Sequence, residues 1–123
     1  MPIWLVLGAL NGLIAVAAGA YGRHGDLSAE GREMFAIAGQ FQMAHGLALI
    51  AVAWLAESAR PVLPTLAGIA FVLGVTLFCG TLYWFGLTGV VPVTGAAPAG
   101  GFALMSGWAL LMAEGGRRFR ARR

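Results

Sequence analysis

Lysine is absent from this 123-residue sequence, and only five acidic residues stand against eight arginines. Charged residues make up 11% of the chain, whereas a soluble domain carries about a quarter, because water has to wet its surface. Too few charges remain to coat a water-soluble globule, so that class is excluded. With 59% hydrophobic residues and a mean hydropathy of +0.81, the solvent for most of the surface is lipid. Cysteine is nearly absent too. The lone Cys79 permits neither an intrachain disulfide framework nor a CxxC metal pattern, and it reads as a small buried thiol. The lack of lysine beside abundant Ala and Gly suggests a GC-rich bacterial genome.

The charges that do occur are segregated. Positions 1–22 carry none, positions 34–56 carry none, and neither do positions 61–113. As one helix the third run would be about 80 Å long at ~1.5 Å per residue. A bilayer core is only about 30 Å thick, so this run holds two spans. The expected fold is therefore all-α, a four-helix transmembrane bundle forming a single integral membrane domain over 1–123. Its spans are expected at about 3–22, 34–57, 64–87 and 98–114. Ala18-Gly19-Ala20 fits a small-x-small cleavage pattern, but no positive region precedes it, so the first apolar run is read as a retained span.

Ser28 is placed to cap a second helix that starts near Ala29, with Glu30 in its positive first turn. That helix outlasts the bilayer, and its first two turns stand among headgroups. Arg60-Pro61 with Pro64 marks a tight second loop. Thr88-Gly89, Pro92, Gly95 and Pro98 break the third apolar run. This third loop has no charge, and is expected to be shielded by protein or by the interface. The fourth span is expected to start near Pro98 and stop at Gly115-Gly116.

Five arginines, Arg117, Arg118, Arg120, Arg122 and Arg123, crowd the last seven positions. Such a tail beside a membrane helix sets topology or meets anionic lipid. No folded basic surface is left for nucleic acid, which is not an expected partner. With four spans both termini share one side, together with Arg60, against Arg23 and Arg32 opposite. The positive-inside rule makes that side cytoplasmic and the membrane the bacterial inner (plasma) membrane.

Polar residues inside the spans are few and lie at similar depths: Asn11, His45 with Gln42 one turn away, Thr76 and Ser106. Read functionally, His45, Gln42 and Asn11 make a proton relay or a small-solute site, since ionisable groups in a membrane are functional by default. Read structurally, they are interhelical hydrogen-bonding glue, worth roughly 0.6–2 kcal/mol per contact. The structural reading is favoured, because a proton path wants a second titratable partner within the membrane. A hydrogen bond from His45 to Asn11 or Gln42 is expected. His24 lies beyond the outer end of the first span, about 12–18 Å of helical rise from His45. One haem iron could not take both, and no cofactor or metal is expected. Tyr83, Trp84 and Phe85, like Trp4, read as interfacial belts. No nucleophile stands beside a base and an orienting group, so no enzyme is expected. The outer-face loop residues Arg23 and His24, with Asp26, Glu30 and Glu33, are read as a solvated helix start.

Four segments, in order, resemble one family. They are Gly19-Ala20-Tyr21-Gly22-Arg23-His24-Gly25, Phe41-Gln42-Met43-Ala44-His45-Gly46-Leu47-Ala48-Leu49, Leu77-Phe78-Cys79-Gly80-Thr81-Leu82-Tyr83 with Leu87-Thr88-Gly89, and Pro98-Ala99-Gly100-Gly101-Phe102 with Gly107-Trp108. The pattern is similar to that of the small bacterial membrane proteins typified by YgdD and YwdK, a domain of unknown function. Arg23 stands where a small residue is usual, and Ala97-Pro98-Ala99 is a plainer version of a Thr-Pro-Ile stretch. The resemblance implies a four-helix inner-membrane protein and no established reaction. The leading expectation is an accessory, assembly or scaffold component of a membrane complex. Its partners would be the lipid bilayer and other subunits or further copies of itself. The alternative is a proton or small-solute transport or sensing protein built on His45, Gln42 and Asn11.

Overall fold

The computed structural model describes residues 2–123. Four helices follow one another: α1 (Pro2–His24), α2 (Ala29–Leu55), α3 (Val62–Thr88) and α4 (Ala96–Ala121). Each is long and apolar enough to cross a membrane, as a helix must be when no water is at hand to satisfy backbone groups. Among the described residues there is no strand.

Helix ends follow local chemistry. The Ser28 hydroxyl accepts from the Gly31 amide at 3.0 Å and closes the start of α2. At the end of α3, Gly89 takes φ +72°, and Gly95 takes φ +86° ahead of α4. Both lie in the left-handed region that only glycine enters freely. As a helix α4 runs on past Gly115-Gly116 to Ala121. Ion pairs from Glu114 to Arg117 and Arg118, one turn on, bridge the two glycines along the helix surface.

α2 and α3 are the central pair. α1 packs along α2 and α4 along α3, while α1 and α4 do not pack along each other. Burial follows that order: 44% and 39% of the apolar windows of α2 and α3 are buried, against 17% for α1 and for α4. Glycines set the close approaches. A Cβ on Gly8 would lie 2.8 Å from the Gly46 carbonyl oxygen, and one on Gly31 would lie 2.5 Å from the Gly86 carbonyl oxygen. In a lipid solvent such backbone proximity drives helix association through dispersion.

Two aromatic expectations are corrected. Trp4 is no belt residue: it is 7% exposed and lays its indole over Gly68 of α3. Tyr83 likewise points inward, its ring 5.0 Å from Phe35, and only Trp84 stands exposed. Of the two shields expected for the third loop, protein or the interface, the structure bears on the first. Gly89 to Gly95 are all exposed on the protein, so protein does not shield them. Val90, Val91 and Val93 are open.

Candidate functional site

The polar interior is organised by two side chains one turn apart on α2. Gln42 and His45 are each 5% exposed, and they point to different neighbours. Gln42 donates from Nε2 to the Asn11 Oδ1 of α1 at 3.0 Å and accepts at Oε1 from the Tyr83 hydroxyl of α3 at 2.7 Å. Asn11 in turn donates from Nδ2 to the Leu7 carbonyl at 2.8 Å. His45 accepts at Nε2 from the Trp108 indole of α4 at 3.0 Å. Its Nδ1 lies 2.6 Å from the Phe41 carbonyl. Gln42 thus ties α2 to α1 and α3, and His45 ties α2 to α4.

These partners determine the state of the histidine. A carbonyl only accepts, so Nδ1 carries the proton; an indole N–H only donates, so Nε2 does not. The ring is the neutral Nδ1-protonated tautomer. An imidazolium would turn an Nε2–H against the Trp108 N–H and lose that bond. Phe71 and Trp108 complete the ring's surroundings at centroid distances of 5.4 and 5.8 Å.

The expected bond from His45 to Asn11 or Gln42 is not formed. At a one-turn spacing the two α2 side chains diverge enough to face different helices. Tyr83 and Trp108, both read from sequence as interfacial or unassigned aromatics, supply the missing partners. An aromatic with a polar tip needs a partner for that tip where water is absent, and that was the available signal. Thr76 and Ser106 do not join the cluster. Each is exposed and returns its hydroxyl to its own helix, Thr76 to the Val72 carbonyl at 2.8 Å and Ser106 to the Phe102 carbonyl at 2.9 Å. That back-bonding is the usual resort of a hydroxyl facing lipid.

A second polar centre was not foreseen. Glu114, 1% exposed, accepts from Arg117 Nε at 2.9 Å, from Arg117 Nη2 at 2.6 Å and from Arg118 Nε at 2.5 Å. Arg118 also donates from Nη2 to the Leu55 carbonyl at 3.1 Å, adding a side-chain bond to a carbonyl at the end of α2 that the Ser58 amide also reaches. Two of the five tail arginines therefore serve an internal tie, in addition to setting charge. Of the others, Arg123 lies over the Phe119 ring at 4.8 Å. At the opposite end Arg23 and Arg32 line a groove between α1 and α2, while His24 is exposed. Among the described residues, no group of three or more His, Cys, Asp or Glu converges as a metal site would require.

His45→Leu removes the acceptor of the Trp108 N–H and leaves the rest of the network untouched. The expected loss is about 1–2 kcal/mol, the value of one interhelical bond. Detergent-titrated unfolding followed by helicity measures it. A loss well beyond that range would mean His45 does more than join helices.

The fold and this interior define a multi-pass bacterial membrane protein whose buried polar groups connect its four helices. The chain belongs to the family described as Protein of unknown function (DUF423), which matches residues 17–101. It is similar to the UPF0382 membrane protein SERP0230 of Staphylococcus epidermidis, 36% identical over 93 residues covering 73% of this chain and 75% of that protein. It is similar also to the UPF0382 membrane protein YwdK of Bacillus subtilis, 35% identical over 97 residues covering 73% and 76%. A third relative, SSP2132 of Staphylococcus saprophyticus, is 34% identical over 93 residues. No solved structure matches the chain.

Proposed function

We propose that this protein is a noncatalytic accessory or scaffold component of a membrane complex, with α4 as the helix that receives a partner. The observation that carries the reading is the open arrangement of the helices. α1 and α4 flank the central pair without closing on each other, and most of each is uncovered. α4 turns Ser106, Ala109, Ala113 and Gly116 outward on one face, with Met105 and Met112 beside them. Lipid chains have no need of small residues, whereas a second helix packs closely on such a face.

The interior supports a structural role in the same terms. Each hydrogen-bonding ring atom of His45 has a partner, and Gln42 is bonded to two other helices. The histidine is not hydrogen-bonded to Asn11 or Gln42, so the side chains named for a relay do not form one chain. Cross-linking from Ala109→Cys and Ala113→Cys, in a Cys79→Ser background, tests the proposal in native membranes. A specific adduct at those positions, absent from a lipid-facing position of α1 such as Leu13→Cys, is the expected result. Recovery of the protein alone and monomeric after gentle solubilisation, with no adduct, would remove the subunit reading.

Both termini belong on the cytoplasmic side in this proposal, because Arg60 and the tail arginines outnumber Arg23 and Arg32. A reporter fused after Arg123 should be active only in the cytoplasm. Activity of a periplasm-dependent reporter at the same position would reverse the orientation.

A further inference from the structure

A lateral groove of about 750 Å³ runs between α1 and α2. Ala15 and Gly19 of α1 and Gly39 and Leu47 of α2 lie along it, and Arg23 and Arg32 stand at one end. These two arginines are the only charges that line it, and no acid does. Neither takes part in an ion pair among the described residues. Of the nearby acids, Asp26 and Glu30 line a separate depression against the end of α3, and Glu33 does not line the groove.

The groove has the length of one leaflet. From Arg32 to Leu47 the rise is about 22 Å at ~1.5 Å per residue. Half of a bilayer, headgroup region included, is about 20–22 Å. The basic end is the loop end, at headgroup depth, and the apolar end reaches the depth of the helix centres. A second helix would meet two unpaired cations at one end and would not need them. A glycerophospholipid with an anionic headgroup meets each part in turn.

We infer that the α1–α2 groove holds one anionic phospholipid, its phosphate on Arg23 and Arg32 and an acyl chain along Ala15, Gly19 and Gly39. Guanidinium groups suit a phosphate because their paired donors match its oxygens. The site is open to the side, so the lipid enters from the bilayer without crossing it. This inference is independent of which partner covers α4, and of which leaflet the loop end faces.

Native mass spectrometry of the full chain, released from nanodiscs of equal phosphatidylglycerol and phosphatidylcholine, tests it. One phosphatidylglycerol should stay bound at energies that strip phosphatidylcholine, with a preference of about tenfold or more for two basic residues at an anionic headgroup. Arg23→Gln with Arg32→Gln should erase that preference, and Arg23→Lys with Arg32→Lys should keep part of it. Gly19→Leu should shed both lipids, because its side chain enters the groove; a Cβ there meets no atom within 4 Å. Gly80→Leu, at another glycine with open space around it, should bind as the unaltered chain does, and helicity shows that each variant is folded. Equal retention of the two lipids, a preference that survives loss of both arginines, or a stable dimer carrying no lipid would overturn the assignment.

Discussion

Gly100→Val should separate α4 from α3 and lower stability by about 3 kcal/mol, at the upper end of what overpacking does. A Cβ at Gly100 would fall 2.5 Å from the Phe78 amide nitrogen and 2.9 Å from the Gly74 carbonyl oxygen. Both are backbone atoms of α3, so no rotamer change can relieve the clash. The helices have to move apart. Gly74 faces the same crossing from the other side, where its Cβ would meet the Leu104 side chain and the Gly100 carbonyl oxygen. The neighbouring substitution supplies the control. A Cβ on Gly101 meets no atom within 4 Å, and Gly101→Ala should be neutral or stabilising by up to about 1 kcal/mol through helix propensity. Thermal unfolding in detergent compares the pair. Equal effects at the two positions would show that the α3–α4 crossing does not depend on backbone contact at Gly100.

Gln42→Leu should cost about 2 kcal/mol, roughly twice the cost of losing either of its partners, because two interhelical bonds of about 1 kcal/mol each vanish together. The change leaves the Tyr83 hydroxyl without its acceptor and the Asn11 carbonyl oxygen without its donor, at a depth where water is scarce. Asn11→Ala and Tyr83→Phe each remove one interhelical bond and should cost about half as much. Double-mutant cycles separate the terms: each pair should couple, whereas Gln42→Leu and His45→Leu should nearly add. Strong coupling of Gln42 to His45 would indicate a continuous network and revive the relay reading.

That Asn11, Gln42 and His45 are polar groups inside apolar helices was legible from their positions within charge-free runs. Their pairing was not. Spacing along α2 states that Gln42 and His45 are near each other on the helix surface, but it does not state which helix each faces. That depends on the rotation of α2 and on where α1 and α4 stand. Glu114 went unread for a related reason. It sits at the boundary of the last apolar run, and only the approach of α4 to the end of α2 brings Arg118 onto the Leu55 carbonyl and leaves Glu114 buried. Thr76 and Ser106 had matching depth and the wrong azimuth.

By itself the sequence determined the solvent and the number of spans. Those follow from hydropathy and chain length against a bilayer of known thickness, and each is a property of one segment at a time. Ser28 as a cap and Gly89 and Gly95 as breaks belong to the same local class. Only the tertiary structure decided that α2 and α3 lie at the centre, and that Trp4 and Tyr83 turn inward. It alone decided that Gln42 and His45 divide three neighbouring helices between them, and that Arg23 and Arg32 border a groove. In lipid every apolar face is equally comfortable, so hydrophobicity cannot say which face is buried. Close packing at glycines and the pairing of a few polar groups make that choice, and both are properties of two helices taken together.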